Sequence, residues 1–186
     1  LWLSECERLI YLILKESNFY NSVGIAYFDL VVFGTAPILI YEDFDDVIRC
    51  YNPCAGEYYV ENSEKMSVNV FYREFTMTIA QVVAEFGFEN CTPAVQNLYK
   101  TGMGSLGREI IVAHAIEPNE DFAGAKSGIP REFRYREVYW EFGQSQLYVL
   151  RKRGFHEFPA AVPRWDLVSN DPYGRAPGMD ALPDIK

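Results

Sequence analysis

The sequence has 186 residues, of which 49% are hydrophobic and 16% aromatic, and its formal net charge is −9. This composition predicts one folded domain, or one with a small second domain, and excludes a disordered chain. The negative charge argues against a general nucleic-acid binder, because phosphate contacts depend on lysine and arginine. The best candidate for a membrane span, residues 23–41, is interrupted by Asp29, Gly34 and Pro37, so it predicts protein core.

The beginning of the chain predicts two helices. In the first, apolar residues recur at near-helical spacing: Leu3, Cys6, Ile10 and Ile13. We expect this helix to bury much of its surface. In the second, which lies within residues 17–36, Ser17 or Asn18 can cap the start and Gly34 can end the helix.

Short β-branched and aromatic segments follow, separated by turn sequences. They read "PILIYE", "DVIRCYN", "GEYYVE" and "SVNVFYREF", and they predict an antiparallel meander over residues 37–75. The acidic run at the first turn comprises Glu42, Asp43, Asp45 and Asp46. It lacks the glycine and the distal glutamate of an EF-hand, so we interpret it as a solvated hairpin turn and not as a cation site.

Four cysteines are present: Cys6, Cys50, Cys54 and Cys91. Their uneven spacing favours reduced thiols in a cytoplasmic protein over a disulfide framework. Cys50 and Cys54 could form half of a zinc site, but the sequence offers no second half. Buried or turn cysteines are therefore the better interpretation, and we expect no metal and no cofactor.

Two further helices are predicted from their ends. The first covers residues 76–87 and can end at Gly87, and the second has Thr92 as N-cap, Pro93 at its first position and Gly102 at its end. The glycines of "GMGSLG", residues 102–107, match a dinucleotide-binding pattern in spacing only. That pattern needs a strand before it and a helix after it, whereas here the order is reversed. We therefore expect a flexible helix-to-strand loop and no nucleotide.

Strands return after residue 107, within "REIIVAHAIE", "REFRYREVYWEFG", "QLYVLRKRG" and "FPAAVPRWD". Aromatic residues of the second segment occupy both parities, which predicts a β-bulge near Arg136 and Glu137. The basic triple at residues 151–153 predicts a solvated corner at a β-turn. The order of helices, strands, helices and strands predicts the α+β class.

Neither histidine lies in a recognisable catalytic pattern. His114 falls within a predicted strand and His156 follows a turn, and no nucleophile elbow is present. A hydrolase that pairs His114 or His156 with a carboxylate remains one alternative function, and a convergent pocket would favour it. A generic protein-binding module is another alternative.

The last 25 residues combine anchoring side chains with residues that fix an unusual backbone path. Arg164, Trp165, Tyr173 and Arg175 can pack and pair, while Gly174, Pro177 and Gly178 shape the backbone. This combination predicts an architectural joint that leads into a helix. We expect those four large side chains to serve assembly and not catalysis.

The same stretch resembles the bacteriophage head-to-tail connecting protein family, the portal proteins of short-tailed phages, or podoviruses. The matching residues are Arg164-Trp165, Tyr173-Gly174-Arg175, Pro177-Gly178-Met179, Ala181-Leu182 and Asp184-Ile185-Lys186. Residues 29–43 and 71–87 also look like this family. Because the family's chains are much longer, and because this chain starts within an apolar run, we expect an internal fragment.

The resemblance implies a structural virion protein without catalytic activity of its own. Such a portal is a ring of identical subunits, usually a dodecamer, at one vertex of the head, and it is assembled in the host cytoplasm. It implies a terminase motor, capsid or scaffold proteins and tail adaptor proteins as partners, transient non-specific passage of double-stranded DNA, and no membrane. The family's wing-like region has helices packed on small antiparallel sheets. We expect residues 1–186 to form one such region, divided at residues 1–106, 107–165 and 166–186.

Overall fold

A computed structural model describes residues 1–120, 133–143 and 148–185. The chain divides into two compact units. The first unit comprises Leu1–Gly56, Asn62–Val68 and Pro159–Lys186, and the second comprises Glu57–Glu61 and Asn69–Phe158. Helices and two antiparallel sheets make up both units, which confirms the predicted α+β class.

The helices in the described parts of the chain are α1 (Trp2–Glu16), α2 (Phe19–Phe33), α3 (Ile79–Phe86), α4 (Pro93–Thr101), α5 (Met103–Leu106) and α6 (Pro177–Ala181), and short 3₁₀ helices cover Phe88–Asn90 and Leu182–Ile185. The strands there are β1 (Ile38–Asp43), β2 (Val47–Tyr51), β3 (Tyr58–Asn62), β4 (Val68–Thr78), β5 (Glu109–Pro118), β6 (Tyr135–Glu141), β7 (Tyr148–Phe155) and β8 (Ala160–Ala161). One sheet has the order β2-β1-β8 and the other has the order β3-β4-β5-β6-β7.

The strands of residues 37–75 do not form one meander, and that prediction was wrong. The β1–β2 hairpin belongs to the three-stranded sheet, whereas β3 and β4 belong to the five-stranded sheet together with the strands after residue 107. Pro53 is fully buried in the connection between β2 and β3. Short strands with similar apolar patterns carry no signal for their pairing partner, because pairing depends on contacts that are distant in sequence.

The first unit is built around α2. Gly34 ends this helix in a left-handed conformation with a φ of 77°, as predicted. At the other end, the Asn18 side chain does not cap the helix. Its amide instead donates to the Cys50 carbonyl oxygen and accepts from the Cys50 N–H, both at 2.8 Å, which ties the start of α2 to β2. Ala26, Ile38 and Cys50 form the buried centre of this packing.

Helix α1 forms where predicted, but its expected burial was wrong. No residue of α1 is buried, and Trp2 remains 75% exposed. The helix packs against α2 and β2. Amphipathic spacing indicates which helix face is apolar, but it does not tell what covers that face.

The second unit packs α3 and α4 against the five-stranded sheet, with Ile79, Val82, Val95 and Val112 at the centre. Both predicted N-caps are present: Thr78 and Gln81 form a capping box on α3, and the Thr92 hydroxyl accepts from the Val95 N–H, with Pro93 at the first position of α4. Glycine residues follow both helices as expected.

Three local predictions in the second unit were wrong. The "GMGSLG" segment contains the short helix α5 and is not an open loop. The basic triple at residues 151–153 lies within β7 and not at a turn. The irregularity lies not near Arg136 and Glu137 of β6 but in β7, where Leu150 is the extra residue opposite Tyr139 and Trp140. Strand β6 needs no bulge, because one parity buries Glu137, Tyr139 and Glu141, a set with two acidic members.

Candidate functional site

The predicted joint lies in the first unit, and we define it as residues 163–180. Its first residues run antiparallel to the chain that leaves α2. Arg164 and Thr35 form a β-bridge, the Trp165 N–H donates to the Gly34 carbonyl oxygen at 2.9 Å, and the Ala36 N–H donates to the Pro163 carbonyl oxygen at 3.2 Å. The joint is therefore fixed by backbone hydrogen bonds to the end of α2.

The joint crosses this region a second time at Gly174. Its N–H donates to the Thr35 hydroxyl at 2.8 Å. A Cβ atom added to Gly174 would overlap the carbonyl oxygen of Gly34, and one added to Gly34 would overlap that of Gly174. Glycine is required at both positions because the two backbones touch.

Helix α6 follows the crossing and packs against the last turn of α2. Pro177 occupies its first position, which suits a residue without an N–H. A Cβ atom added to Gly178 would lie 3.0–3.1 Å from backbone atoms of Val31 and Val32. The joint thus has one position, Gly174, at which a second backbone excludes a side chain, and another, Gly178, at which it leaves little room.

The Arg164 guanidinium forms hydrogen bonds within the chain. Nη1 donates to Oδ1 of Asn62 at 2.9 Å and Nη2 donates to the carbonyl oxygen of Met66 at 2.7 Å. Met66 has a positive φ of 60°, which is unusual outside glycine, in the turn between β3 and β4. Asn62 also donates to the carbonyl oxygen of Asn170 at 3.4 Å. The joint therefore contacts the last residue of β3 and the turn that follows it.

Trp165 and Arg175 line a shallow groove of about 360 Å³ on the surface of the joint. Trp165 is 55% exposed. The Arg175 N–H donates to the Asp166 carbonyl oxygen at 2.9 Å, and its guanidinium pairs with Asp180 on α6. Tyr173 is half-buried in the preceding turn, where its N–H donates to Oδ1 of Asp171 at 2.9 Å.

A second surface of the first unit is rich in exposed apolar side chains. On α1 they are Trp2, Leu3, Leu9, Ile10, Tyr11 and Leu12, and on α2 they are Tyr20, Ile25, Tyr27, Phe28, Val31 and Phe33. We call this set the α1–α2 surface. A helix that is apolar around its whole circumference, as α2 is, is typical of a helix covered on more than one side.

The model of one protein family, described as the bacteriophage head to tail connecting protein, matches residues 1–186. This chain belongs to that family. It is 39% identical over 185 residues to the probable portal protein of Bordetella phage BPP-1, a match that covers 100% of this chain and 33% of the relative. It is 36% identical over 187 residues to the portal protein of Salmonella phage epsilon15, with the same coverage. The chain spans about a third of the length of these relatives.

Of the four residues predicted to serve assembly, the structure brings two together. Trp165 and Arg175 share one groove, Arg164 contacts the β3–β4 turn, and Tyr173 packs in the loop between them. The sequence pattern predicted Gly34 as a helix end but did not indicate that Gly34 and Thr35 contact the joint. Thr35 and Gly174 are 139 residues apart in the chain, and a single sequence carries no signal for a contact at that separation.

The histidine of the alternative hydrolase hypothesis does have a carboxylate beside it. His114 Nε2 lies 2.9 Å from Oε1 of Glu137, and both side chains are fully buried. The other ring nitrogen accepts from Nε of Arg73 at 3.1 Å. Both imidazole nitrogens are therefore occupied by protein groups and sealed from a substrate, which disfavours catalysis by His114.

Neighbouring polar and charged side chains set the ionisation state of Glu137 in this buried cluster. Burial alone would raise the pKa of Glu137, but the hydrogen bond from His114 and the hydrogen bond and charge of Arg153 outweigh it and hold that pKa at about 2. Arg153 Nε donates to the second carboxylate oxygen at 2.6 Å. Glu137 is thus a carboxylate, as its neighbours require.

Within the described ranges, no helix is both long and apolar enough to cross a membrane.

Proposed function

We propose that this chain is part of a portal subunit, which forms a ring of identical subunits at one vertex of the phage head. Double-stranded DNA would pass through the ring when the head is filled and again when the genome is ejected. The observation that carries this proposal is the family match over residues 1–186, together with two relatives that are named portal proteins. Since the chain spans a third of those relatives, the proposal concerns the whole protein.

The α1–α2 surface supports assembly into a larger structure. Exposed large apolar side chains recur along both helices, and extended exposed apolar surface marks contacts with other proteins or other parts of the same protein. A closed ring is built from contacts between two unlike surfaces of each subunit. The groove beside Trp165 offers a further exposed aromatic side chain for such contacts.

We propose different roles for the four joint residues. Arg164 fixes the β3–β4 turn, so its contribution to assembly is to hold that turn in position. Trp165 and Arg175 are exposed and are the better candidates for direct contact with a neighbouring subunit. Tyr173 supports the loop that carries them.

The remaining features of the proposal follow from the portal role. The net charge of −9 suits a channel through which DNA slides, because strong phosphate contacts would retain it. We propose a dodecamer that is assembled in the host cytoplasm, with the terminase motor, capsid or scaffold proteins and tail adaptors as partners. The ring itself carries out no chemical reaction.

Electron microscopy of the whole protein that contains this chain tests the proposal. We expect closed rings with a central channel after purification. A whole protein that stays monomeric at every concentration, or that forms open filaments only, would overturn it.

A further inference from the structure

His114 occupies the middle of β5, and its two ring nitrogens face the two neighbouring strands of the sheet. Nδ1 lies 3.1 Å from Nε of Arg73 on β4, and Nε2 lies 2.9 Å from Oε1 of Glu137 on β6. A guanidinium can only donate hydrogen bonds, so Nδ1 must accept and carries no proton. The proton of the neutral ring is then on Nε2, which donates to Glu137. This arrangement requires an uncharged histidine.

Each strand around His114 contributes a charged or aromatic group. From β4, Arg73 also reaches Oε1 of Glu57 at 3.2 Å, just ahead of β3. From β6, the Tyr139 ring stacks on the imidazole with centroids 4.0 Å apart, and its hydroxyl donates to Glu137. From β7, Arg153 donates to Glu137. One buried imidazole therefore links a chain of groups that extends from the start of β3 to β7.

A proton added at Nδ1 would change this linkage on one side only. The new N–H would point at the N–H of Arg73 across 3.1 Å, so two donors and two positive charges would oppose each other. On the other side, the protonated ring would still donate to the Glu137 carboxylate. The contact that must break is the one to Arg73, and Arg73 is itself buried.

We propose that His114 is an acid-sensitive link in the five-stranded sheet: the neutral ring joins β4 to β6, and a proton taken up from solvent at Nδ1 breaks the contact to Arg73 and so releases β4 from β5. The β5–β6–β7 side stays joined, because Glu137 keeps both His114 and Arg153 as donors. Acid therefore loosens the β3–β4 side of the sheet first.

The direction of the His114 pKa agrees with this geometry. Burial lowers the pKa of His114 below its ordinary 6.5, Arg73 and Arg153 lower it further, and Glu137 opposes them. A group whose pKa is lower in the folded state contributes stability that is complete above its unfolded pKa and is lost as the pH falls towards its folded pKa. The His114 contribution therefore begins to fall below pH 6.5. The contribution of Glu137 to folding stability begins to fall only below pH 4.5, its ordinary pKa. The two losses of stability therefore begin at different pH values.

The decisive variant is His114→Gln. The glutamine carbonyl oxygen can accept from Arg73 and its amide can donate to Glu137, but the side chain does not titrate. His156→Gln is the matched control, since His156 is exposed. Urea unfolding of the 186-residue chain is measured from about pH 7 to about pH 5.

We expect the original chain and His156→Gln to lose up to about tenfold in the folding equilibrium constant per pH unit in this window. His114→Gln should lack that loss. Equal losses in His114→Gln and the original chain would overturn the proposal.

A second measurement does not depend on the folding of a variant. Nitrogen NMR of the histidine rings in the original chain should find His114 with its proton on Nε2 near pH 7, and should find it titrating below 6.5. Hydrogen exchange at lower pH should then rise first in β4. A proton on Nδ1 near pH 7, or titration at or above 6.5, would contradict the proposal.

Discussion

The contact between Gly34 and Gly174 makes the joint sensitive to a single methyl group. Each residue lies against the carbonyl oxygen of the other. An added side chain would therefore meet backbone atoms and not a flexible side chain that could move aside. Gly174 does not have a positive φ, so its requirement for glycine comes from the close approach and not from backbone conformation. A substitution there isolates the effect of packing between these two segments.

We predict that Gly174→Ala lowers the free energy of unfolding by about 1–3 kcal/mol or more, because the added methyl group forces the two backbones apart. Gly24→Ala is the matched control. Gly24 lies within α2 with open space around its Cα, so alanine there should leave stability unchanged or raise it by up to about 1 kcal/mol. Urea denaturation measures both, and an equal effect at the two positions would contradict the close approach.

Glu137 gives a second prediction at the residue scale. Its pKa is about 2 in the folded state and 4.5 ordinarily. Its contribution to folding stability is therefore complete above pH 4.5 and is lost as the pH falls towards 2. This difference corresponds to about 3 kcal/mol. We predict that Glu137→Gln is less stable near neutral pH and lacks this acid-dependent loss.

Chemical denaturation between about pH 5 and about pH 2 measures the Glu137 effect. The control is Glu117→Gln, which changes a half-buried, ion-paired carboxylate of β5 in the same sheet. If Glu137→Gln and the original chain lose stability in parallel over this range, the buried carboxylate is not the group responsible.

Helix ends are the elements of this fold that are specified most locally. On α3, the Gln81 N–H donates to the Thr78 hydroxyl at 3.3 Å, and the Gln81 side chain accepts from the Thr78 N–H at 2.9 Å. We predict that Thr78→Ala costs about 1 kcal/mol of stability. Thr76→Ala, at an exposed position of β4, should cost less. Thermal unfolding followed by circular dichroism compares them, and equal midpoints would show that the cap contributes nothing.

The same locality explains which elements were predictable from the sequence. Gly34, Gly87 and Gly102 end helices where expected, because a cap depends on residues within one turn. The division of the strands between two sheets was not predictable, since each hairpin satisfies its own pattern and its partner strands lie far along the chain. The buried face of β6 was not predictable, because it carries glutamates. The sequence does not distinguish a buried carboxylate with three hydrogen-bond partners from an exposed one.

The candidate site was likewise predictable from the sequence only in part. The sequence singled out Arg164, Trp165, Tyr173 and Arg175, and their roles in assembly remain predictions. It did not indicate that the Arg164 guanidinium binds Asn62 and Met66 within the chain, because that contact joins segments about 100 residues apart. The proposed division of residues 1–186 at positions 106 and 165 also remains a prediction.

At the scale of the whole molecule, the exposed groups of the joint are the ones that a neighbouring subunit could contact. Trp165 offers a large apolar face, and side chains of this type carry much of the binding energy of protein interfaces. Arg175 pairs with Asp180, and both side chains line the same groove. Loss of either side chain should therefore weaken contacts between subunits more than it weakens the fold.

We predict that Trp165→Ala or Arg175→Ala in the whole protein reduces the fraction of subunits in rings, or the filling of heads with DNA. Phe44→Ala is the matched control, because Phe44 is a fully exposed aromatic residue in the β1–β2 turn of the same unit. Circular dichroism first establishes that each variant is folded, and electron microscopy then counts rings. Rings and packaged DNA at the original level in both joint variants would mean that the groove does not serve assembly, whereas a loss in Phe44→Ala alone would assign the subunit contact to the hairpin turn.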